Sequence, residues 1–295
     1  MNVAVVGAGS LGAGIAHVCA AAGHTVTVRG VEPNVVMDAI DTVSNRLEGG
    51  AAAGDISSKE QHAADDALEG TTNVQSAVDG ADLVIEATSS DLDGKRDTFA
   101  DVEGYVDEET VIATATTSLS VTAIATALEH PERAVGFHFA DQPHLVELVE
   151  VVPADQTDDE TAAFAVEFIE GLGTEPIVVA DAPGLASDRL GLSLAVEAMR
   201  MVEDGVTDVR DADAAMELGY DHPVGPLELS DRVGLDTRLD TLERLSDELG
   251  DRFEPPAILR EKVDAGDTGK SVGRGFYVWE SGEPEAPGDD TEDFA

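Results

Sequence analysis

The amino-acid sequence predicts an α/β fold in which a mainly parallel sheet is followed by an all-helical domain. Two observations carry this prediction. Over residues 1–180, short apolar runs alternate with segments of helical periodicity, a pattern typical of a parallel sheet covered by helices on both faces. After Pro183-Gly184 the strand signals stop, and only helical periodicity follows.

Strands are expected at the apolar runs. These lie at residues 3–6, 26–28, 83–85, 111–113, 135–137, 148–152 and 177–179. Between the second and third runs, the longer polar insert 33–80 carries helical periodicity and predicts a pair of helices that projects from the sheet. The sheet and its helices are expected to form a first domain at residues 1–182.

Helical periodicity dominates the rest of the chain. It covers residues 185–203, 209–218, 226–249 and 256–265, with breaks at Gly205, Gly219 and Pro223. We therefore expect an all-helical second domain at residues 183–280. Residues 281–295 are acidic, contain Pro and Gly and offer little to bury, which predicts a disordered tail.

The composition is strongly acidic. The 295 residues include 61 Asp and Glu but only 17 Lys and Arg, which gives a formal net charge of −44 spread along the whole chain. Such self-repulsion is tolerable where molar salt shortens the Debye length to about 3 Å, so the composition is typical of a halophilic protein in a high-salt cytoplasm. A nucleic-acid backbone would repel this chain, and nucleic-acid binding is not expected.

The sequence favours a cytoplasmic protein without membrane partners. No apolar run reaches the ~18 residues of a membrane span, and no basic region precedes an apolar stretch at the N-terminus. The single cysteine, Cys19, excludes an internal disulfide and is expected to be a small buried residue. The histidines lack metal-ligand spacing, so no metal is predicted.

The N-terminal region has the order strand, glycine-rich turn and helix. After an apolar run the chain continues through Gly7-Ala8-Gly9-Ser10-Leu11-Gly12 into an alanine-rich helical pattern. Gly7 is expected to make the turn, Gly9 to let the backbone approach a pyrophosphate, and Gly12 to let the helix pack on the strand. The N–H groups at the helix start would bind the phosphates. The sequence thus predicts a Rossmann-type domain that binds a dinucleotide.

His138 lies at the end of a predicted strand, and Glu150 lies within the next one. In an open parallel sheet, ligands bind beyond the carboxyl ends of the strands, which places His138 near the cofactor. A histidine suits general acid or base work near neutral pH, and a carboxylate can fix its tautomer and stabilise the imidazolium. A purely structural histidine stays an alternative at this point.

Six blocks of sequence occur in a fixed order along the chain. They are GAGSLGAGIA; GADLVIEATSSDLDGKRDTF; GFHF, followed 12 residues later by Glu150 in LVEVV; PGLASDRL; HPVGPLELSDRVGLD; and GRGFYVW. Together they resemble the short-chain-length L-3-hydroxyacyl-CoA dehydrogenase family over residues 2–279. The resemblance implies a Rossmann-type domain, a helical domain that forms a homodimer, NAD as cofactor, and oxidation of a 3-hydroxyacyl-CoA to the 3-keto form.

The resemblance also assigns roles in the site. His138 looks like the family's general base and Glu150 like the carboxylate that orients it. The substrate-contacting serine falls at Thr117, which keeps a hydroxyl, and the active-site asparagine falls at Asp188. An ionised aspartate cannot donate the hydrogen bond that an amide gives. A protonated Asp188 would mimic the amide, and we expect Glu150 and burial to raise its pKa accordingly.

Around the cofactor, the chain departs from the family at the residue that holds the adenosine ribose. This acidic residue falls at Gly30, with Arg29 before it and Glu32 after it. Glu32 would supply the missing contact to NAD, or Arg29 with Gly30 would make room for the 2′-phosphate of NADP. The choice between NAD and NADP therefore stays open.

Further residues are implied to lie near the cofactor or CoA. The family's lysine beside the nicotinamide is kept as Lys95, its glutamate falls at Ser90, and an asparagine that follows the HF run falls at Asp141. The polar insert, which meets the nucleotide end of CoA in the family, carries Arg46 and Lys59. Both are equally well explained as solvated helix charges.

Two alternatives to this function remain. The first is a dehydrogenase on the same scaffold that acts on a free hydroxy acid without CoA. The second is a dinucleotide-binding protein that has lost catalysis. The departures in the site favour the second alternative, whereas the intact His138 and Glu150 favour an enzyme.

Overall fold

The computed structural model describes residues 1–88, 91–116, 119–139, 143, 148–280 and 282–285. The chain divides into two compact units, Met1–Leu185 and Ala186–Ala295. The first unit contains the sheet, and the second is built mainly from helices, as the sequence predicts. In the described part of the chain, no helix is long and apolar enough to cross a membrane.

A sheet of eight described strands forms the centre of the first unit. The strands are β1 (Asn2–Val6), β2 (Thr25–Arg29), β3 (Leu68–Thr71), β4 (Leu83–Glu86), β5 (Val111–Thr114), β6 (Ala134–Phe139), β7 (Leu148–Pro153) and β8 (Glu175–Val178). Their order is β3-β2-β1-β4-β5-β6-β7-β8. Neighbouring strands are parallel except β6 and β7. Strand β7 therefore begins at the edge of the sheet where β6 ends.

Helices pack on both faces of this sheet. They are α1 (Ser10–Ala21), α2 (Pro33–Ala53), α3 (Ser58–Asp66), α4 (Val74–Val78), α5 (Leu92–Glu103), α6 (Val121–Ala125) and α7 (Asp159–Gly171). In β1, Val3 and Val5 belong to one apolar cluster, whereas Ala4 and Val6 belong to another. Because successive side chains point to opposite faces, a strand that is buried on both faces is apolar throughout. This explains the continuous apolar run in the sequence.

The polar insert forms the expected helices α2 and α3, but it also contains the edge strand β3, which the sequence reading missed. Only Leu68 is apolar in β3, and the strand pairs with β2. Gly70 lets α2 pack closely, because a Cβ there would lie 2.5 Å from Val36 Cγ1. An edge strand with one apolar residue has no alternating pattern, so hydrophobic periodicity could not reveal it.

The second unit is mainly helical. It contains α8 (Ser187–Glu203), α9 (Val209–Tyr220), α10 (Pro226–Val233), α11 (Leu235–Leu249), α12 (Ala257–Asp264) and a short antiparallel pair, β9 (Val278–Glu280) and β10 (Glu283–Glu285). The helix predicted at 226–249 is two helices, because Gly234, with φ of 109°, separates them. Strand β10 occupies part of the predicted tail, while residues 281 and 286–295 lie outside the described residues.

A buried aspartate holds the C-terminal segment of the second unit. The Asp231 carboxylate accepts hydrogen bonds from the backbone N–H groups of Phe276 and Tyr277 at 2.8 Å and from the indole N–H of Trp279 at 3.0 Å. Gly275 permits this approach, because a Cβ there would lie 2.1 Å from Asp231 Oδ1. Burial raises the pKa of Asp231 against the effect of these hydrogen bonds.

A second buried aspartate, Asp213 of α9, holds the start of α10. It accepts hydrogen bonds from the backbone N–H groups of Leu227 and Glu228 and from the hydroxyl of Tyr277, each at 2.8 Å. The carboxylate thus satisfies N–H groups that have no partner within α10. Burial also raises the pKa of Asp213. Two of the sequence blocks noted above, HPVGPLELSDRVGLD and GRGFYVW, therefore meet at buried structural carboxylates.

Candidate active site

The turn between β1 and α1 is closely packed on one side and open on the other. Gly7 has φ of 131°, and a Cβ on it would lie 2.4 Å from the carbonyl oxygen of Ala87. A Cβ on Gly12 would lie 1.8 Å from the carbonyl oxygen of Gly7. By contrast, a Cβ on Gly9 would meet nothing within 4 Å. Packing requires glycine at positions 7 and 12, whereas Gly9 borders open space beside the backbone.

The start of α1 is suited to an anion. Gly9 is its N-cap residue, no described side chain caps the helix, and its first turn has no acidic residue. Ser10 is exposed, while Ala8 and Leu11 pack against the core of the sheet. The N–H groups of the first helical turn, which lack intrahelical acceptors, can therefore bind phosphate oxygens.

The end of β2 differs from the arrangement that the resemblance implies. Gly30 is buried, and a Cβ there would lie 2.8 Å from Val36 Cγ2 and 3.1 Å from the Cβ of Ala8. An acidic side chain would therefore collide with these two residues. Glu32, at the N-terminus of α2, is exposed and makes no capping bond. The buried Nε of Arg29 has no hydrogen-bond partner among the described residues. The backbone carbonyl of Arg29 accepts a hydrogen bond from the Gly7 N–H at 2.9 Å, so the end of β2 borders the turn.

Glu86, at the end of β4, is a buried carboxylate that the sequence reading did not single out. It accepts hydrogen bonds from Lys95 Nζ at 2.8 and 2.9 Å, from the Thr114 hydroxyl at 2.7 Å and from the Thr88 backbone N–H at 2.7 Å. Lys95 also donates to the carbonyl oxygen of Thr88 at 2.9 Å. A charged residue that ends an apolar strand, as in LVIE, was the signal available in the sequence.

These contacts define the surroundings of Lys95, which was predicted to bind the cofactor. The side chain is 5% exposed, and its three N–H donors match the three contacts to Glu86 and Thr88. The ammonium group therefore ties the end of β4 to α5. In this arrangement Lys95 anchors the backbone of Thr88, which follows β4.

His138 and Glu150 form a close pair across the two antiparallel strands. They are direct register partners of β6 and β7, and His138 Nδ1 lies 2.6 Å from Glu150 Oε2. The carboxylate is 1% exposed and the imidazole 10%. Because an ionised carboxylate only accepts hydrogen bonds, Nδ1 carries the proton and donates it to Glu150. The neutral ring then has its lone pair on Nε2, the form needed by a general base.

The antiparallel register explains why two residues separated by 12 positions meet. Strand β6 ends where β7 begins, so a residue near the end of one faces a residue near the start of the other. The sequence reading placed both residues on adjacent strands but did not predict the reversed direction of β7. Two other predicted site residues, Thr117 and Asp141, and the position Ser90 lie outside the described residues.

Asp188 belongs to the second unit, in the first turn of α8. Its charge acts on Arg238 of α11. Burial lowers the pKa of Arg238, and the attraction of Asp188 opposes that shift. The sequence reading did not single out Arg238. It paired Asp188 with Glu150 instead, and Glu150 belongs to the first unit.

A cavity of about 580 Å³ lies among α1, α2 and the end of α7. Its lining includes Val18, Arg46, Asp55 and Leu172. The Nη1 atom of Arg46 is buried and has no hydrogen-bond partner in the described part of the chain. Arg46 therefore presents unused hydrogen-bond donors beside a cavity of the size of a small-molecule site.

The single cysteine is part of the packed core. Cys19 is fully buried in α1, and burial raises the pKa of its thiol to about 12. The expectation of a small buried residue is thus confirmed. Among the described residues, no group of three or more His, Cys, Asp or Glu could hold a metal ion.

Known families match nearly the whole chain. Residues 2–182 match the family model described as 3-hydroxyacyl-CoA dehydrogenase, NAD binding domain, and residues 184–279 match the one described as 3-hydroxyacyl-CoA dehydrogenase, C-terminal domain. The 3-hydroxybutyryl-CoA dehydrogenase of Bradyrhizobium diazoefficiens is 35% identical over 284 residues, which cover 96% of this chain and 97% of the relative.

Solved structures agree with these matches. The (S)-3-hydroxybutyryl-CoA dehydrogenase of Ralstonia eutropha has a TM-score of 0.90 and 33% identity, with coverage of 95% of this chain and 99% of that one. A diketoreductase whose structure was described for catalysis of dicarbonyl compounds has a TM-score of 0.80 and 29% identity, with coverage of 95% and 99%. The predicted α/β fold class is confirmed. The chain belongs to the 3-hydroxyacyl-CoA dehydrogenase family.

Proposed function

We propose that this protein interconverts 3-hydroxyacyl-CoA and 3-ketoacyl-CoA esters with a nicotinamide cofactor. The observation that carries the proposal is the contact of 2.6 Å between His138 Nδ1 and Glu150 Oε2 at the carboxyl end of β6. Relatives in the family are named for 3-hydroxybutyryl-CoA. The reaction to test first is therefore the interconversion of this ester with acetoacetyl-CoA.

His138 acts as the general base in the oxidation. A nicotinamide cofactor held at the turn Gly7–Gly12 would supply the acceptor for the hydride that leaves the carbon bearing the hydroxyl group. His138 Nε2 takes the hydroxyl proton, and the C–O single bond becomes a carbonyl. Glu150 holds the imidazole by its Nδ1–H and stabilises the imidazolium that forms. In the reduction, the same imidazolium returns the proton. Positioned proton transfer of this kind contributes roughly 10²- to 10⁴-fold to the rate.

The cofactor is proposed to lie across the turn Gly7–Gly12, with its pyrophosphate at the open backbone of Gly9. Support comes from the uncapped start of α1 and from the space at Gly9. We take NAD as the cofactor, with Glu32 as the partner of the adenosine ribose. NADP stays the second candidate, because a guanidinium can accommodate a 2′-phosphate and the Nε of Arg29 has no hydrogen-bond partner among the residues that the structure describes. Asp141 is also proposed to contact the cofactor near its nicotinamide.

Lys95 is proposed to serve the cofactor indirectly. Its contacts hold Glu86 and Thr88 at the end of β4, a region that the resemblance places near the nicotinamide. On the substrate side, Thr117 and Asp188 are proposed to contact the thioester or hydroxyl oxygen. The domain at 1–182 thus holds the cofactor and the base, and the domain at 183–280 contributes Asp188.

The nucleotide end of CoA is proposed to lie against the helices of the polar insert. The supporting observation is the cavity lined by Arg46, whose Nη1 is unpaired among the described residues. A guanidinium is well suited to a phosphate, which it can bind through two parallel hydrogen bonds. Lys59 lies in the first turn of α3 on the same insert and is exposed.

A second candidate is the reduction of a dicarbonyl compound without CoA. The observation that favours it is the C-terminal third of α2, LEGGAAA, which carries no basic residue. The similar diketoreductase shows that a related scaffold acts on dicarbonyl compounds. The two candidate functions are distinguished by the turnover of acetoacetyl-CoA and of free acetoacetate, measured at equal substrate concentration.

A homodimer through the helical domain is proposed. Leu218 and Tyr220, at the end of α9, are 87% and 75% exposed in the single chain, and Leu190 of α8 is 74% exposed. Large apolar side chains on an otherwise acidic surface favour a contact with a second copy of the chain. Sedimentation equilibrium should give twice the chain mass of 30.7 kDa.

The net charge of −44 supports a protein adapted to molar salt in the cytoplasm. Screening shortens the range of repulsion among 61 acidic residues. Melting temperature should therefore fall as KCl is lowered from molar to tens of millimolar. A melting temperature that stays constant over this range would contradict the proposed adaptation.

The direct test of function is NADH-dependent reduction of acetoacetyl-CoA in molar KCl, with NADPH and free acetoacetate in parallel. We expect turnover with acetoacetyl-CoA to exceed turnover with acetoacetate by at least about tenfold, since the CoA part contributes binding energy to the transition state. Equal turnover of both substrates would favour the second candidate. Absence of turnover with folded protein that still binds NADH would favour a binding protein without catalysis.

A further inference from the structure

Glu86 ends β4 at the point where the winding of the sheet reverses. In the order β3-β2-β1-β4-β5, the chain proceeds outwards from β1 in one direction and from β4 in the other. Ligands of open α/β sheets bind beyond the carboxyl ends of the strands at such a point. Glu86 is the register partner of Val6, the residue directly before the turn Gly7–Gly12. The carboxyl end of β4 therefore borders the crevice proposed for the cofactor.

The backbone that follows Glu86 packs directly against this turn. Ala87 donates its N–H to the carbonyl oxygen of Val6 at 2.8 Å. A Cβ on Gly7 would lie 2.4 Å from the carbonyl oxygen of Ala87 and 3.0 Å from the backbone nitrogen of Thr88. Because packing is this close, a shift of Ala87 and Thr88 would either displace the turn or open a gap beside it. The position of their backbone therefore shapes the surroundings of Gly7.

Both polar groups of the Thr88 backbone are held by the ion pair of Glu86 and Lys95. The N–H of Thr88 donates to Glu86 Oε1 at 2.7 Å, and its carbonyl oxygen accepts from Lys95 Nζ at 2.9 Å. Lys95 Nζ also donates to the two carboxylate oxygens, at 2.8 and 2.9 Å. The Thr114 hydroxyl, at the end of β5, donates to Oε2 at 2.7 Å. The ion pair thus fixes the Thr88 backbone at two atoms.

Stability alone is a weak reason for this ion pair. Glu86 is fully buried, and the side chain of Lys95 is 5% exposed. Desolvation of two such charges often cancels their attraction, and well-packed apolar residues of similar volume are often as stable. The other residues of β4, 83–85, are indeed apolar. A side chain without exposed surface cannot touch a bound cofactor. Any part that Glu86 has in the reaction therefore acts through the Thr88 backbone.

We propose that Glu86 is a positioning residue of the cofactor site. Together with Lys95, its carboxylate holds the Thr88 backbone beside Gly7, so that the surface which receives the cofactor is formed before binding. A preformed surface lowers the ordering cost of binding. This inference rests on the proposed function, because it assumes a nicotinamide cofactor at the turn Gly7–Gly12. Loss of the Glu86 carboxylate should therefore weaken binding of the cofactor more than binding of the acyl-CoA ester.

The test compares Glu86→Gln with Glu103→Gln in the full-length protein in molar KCl. Glu103 is the matched control, because it is also a largely buried carboxylate that accepts hydrogen bonds from backbone N–H groups and from a cation, Arg133. Arg133 directly precedes β6, at the edge where the parallel strands begin, whereas the turn follows the end of β1.

Three quantities are measured on each protein. Calorimetry gives the dissociation constant for NADH, or for NADPH if the parent binds that cofactor more tightly. Steady-state kinetics give the KM for acetoacetyl-CoA at saturating cofactor, and denaturant unfolding gives the free energy of unfolding. The first two quantities separate an effect on the cofactor from an effect on the ester, and the third reports a merely structural effect.

Glu86→Gln places an NH₂ group, which is a donor, among the donors of Thr88, Lys95 and Thr114. The cofactor dissociation constant should rise by about tenfold, the difference between hydrogen bonds to a charged and to a neutral acceptor. The KM for acetoacetyl-CoA should stay within about twofold, because the ester does not contact this backbone. Glu103→Gln should lose stability but keep the cofactor dissociation constant within about twofold, as expected for a distant site.

Two further variants keep the test decisive if Glu86→Gln does not fold. Thr114→Val keeps the ion pair and removes only the hydroxyl bond to Oε2, so the cofactor dissociation constant should rise by about threefold. Glu86→Gln/Lys95→Met removes both charges and should regain much of the stability. The carbonyl oxygen of Thr88 has then still lost its donor, and the cofactor dissociation constant should stay raised by about threefold or more.

Several results would overturn the inference. One is a cofactor dissociation constant like that of the parent in all folded variants at positions 86 and 114. Another is an equal rise in Glu103→Gln, because loss of affinity would then follow from any loss of stability in this unit. A double variant that regains parental affinity together with stability would assign the ion pair to the fold.

The binding measurements also separate this inference from the proposed function. A parent protein that binds the cofactor but does not reduce acetoacetyl-CoA contradicts the proposed function, whereas the comparison of dissociation constants still decides the role of Glu86. A parent that binds neither NADH nor NADPH contradicts both.

Discussion

Buried carboxylates have different partners in the two units. In the first unit, Glu86 and Glu150 face ionisable side chains, Lys95 and His138. In the second unit, the buried carboxylates of Asp213 and Asp231 accept hydrogen bonds mostly from backbone N–H groups. A side-chain partner can change its charge or exchange a proton, whereas a backbone N–H is a fixed donor. The difference separates carboxylates whose partner carries a charge or a transferable proton from carboxylates that are held by fixed backbone donors.

The Glu86–Lys95 pair should show the largest effect on stability. Lys95→Met leaves Glu86 buried without its counter-charge, and we expect the free energy of unfolding to fall by about 3–5 kcal/mol. Denaturant unfolding in molar KCl measures this. The double variant Glu86→Gln/Lys95→Met should recover much of the loss, because it removes the unpaired charge. A loss of unfolding free energy below about 1 kcal/mol for Lys95→Met would show that Lys95 does not compensate the buried charge of Glu86.

Asp231 provides the matching test in the second unit. Asp231→Leu leaves the N–H groups of Phe276, Tyr277 and Trp279 without their acceptor, and we expect a loss of about 3 kcal/mol. Asp231→Asn keeps one acceptor oxygen and should lose less than half of that. Folded Asp231→Asn should retain the kcat of the parent protein. A stable Asp231→Asn variant with strongly reduced kcat would place this carboxylate among the functional ones.

Glu150→Gln should lower activity with little change in stability. The amide oxygen still accepts the hydrogen bond of His138 Nδ1, so the ring keeps its orientation. The neutral amide no longer stabilises the imidazolium, and kcat should fall by about 100-fold or more. Steady-state kinetics and the melting temperature should be measured on the same preparation. An unchanged kcat would show that the charge of Glu150 has a structural role and no catalytic one.

The pH dependence of stability should have opposite signs at Asp231 and Glu103. Burial raises the pKa of Asp231 above its ordinary value of 3.8. Its contribution to stability is therefore fully present below pH 3.8 and is lost as pH rises through the raised pKa. For Glu103, burial would raise the pKa, but hydrogen bonds from the N–H groups of Glu129 and His130 and from Arg133 hold it below 4.5. Its contribution is present above pH 4.5 and is lost on acidification.

Unfolding free energies of the parent, Asp231→Asn and Glu103→Gln over this acidic range check both signs. The advantage of the parent over Asp231→Asn should shrink as pH rises, and its advantage over Glu103→Gln should grow. The effect of overall net charge on stability is common to the parent and the variants. It therefore cancels when their unfolding free energies are subtracted at the same pH. Two differences with the same sign would contradict the contrast.

Much of the fold follows from the sequence because its strands are buried on both faces. Continuous apolar runs predicted β1, β4 and β5 almost residue by residue. The edge strand β3 was missed because only Leu68 is apolar there. The break at Gly234 was also missed, because the apolar pattern continues across it while the backbone changes direction.

Site residues could be predicted from the sequence where a short local pattern indicates their role. The turn Gly7–Gly12 and the strand-end His138 are local signals. Glu86 was not among the predicted site residues, since its role depends on partners that only the tertiary structure reveals. The expected coupling of Asp188 to Glu150 joins residues of different units and stays a prediction.

The pairing of His138 with Glu150 is most directly tested by His138→Ala. The measurement is kcat for reduction of acetoacetyl-CoA with NADH in molar KCl, together with the dissociation constant for NADH and the melting temperature. We expect kcat to fall by about 100-fold or more, because the general acid of the reduction is gone, while NADH binding and the melting temperature change little. A folded His138→Ala variant that retains most of the parent's kcat would show that His138 does not transfer the proton.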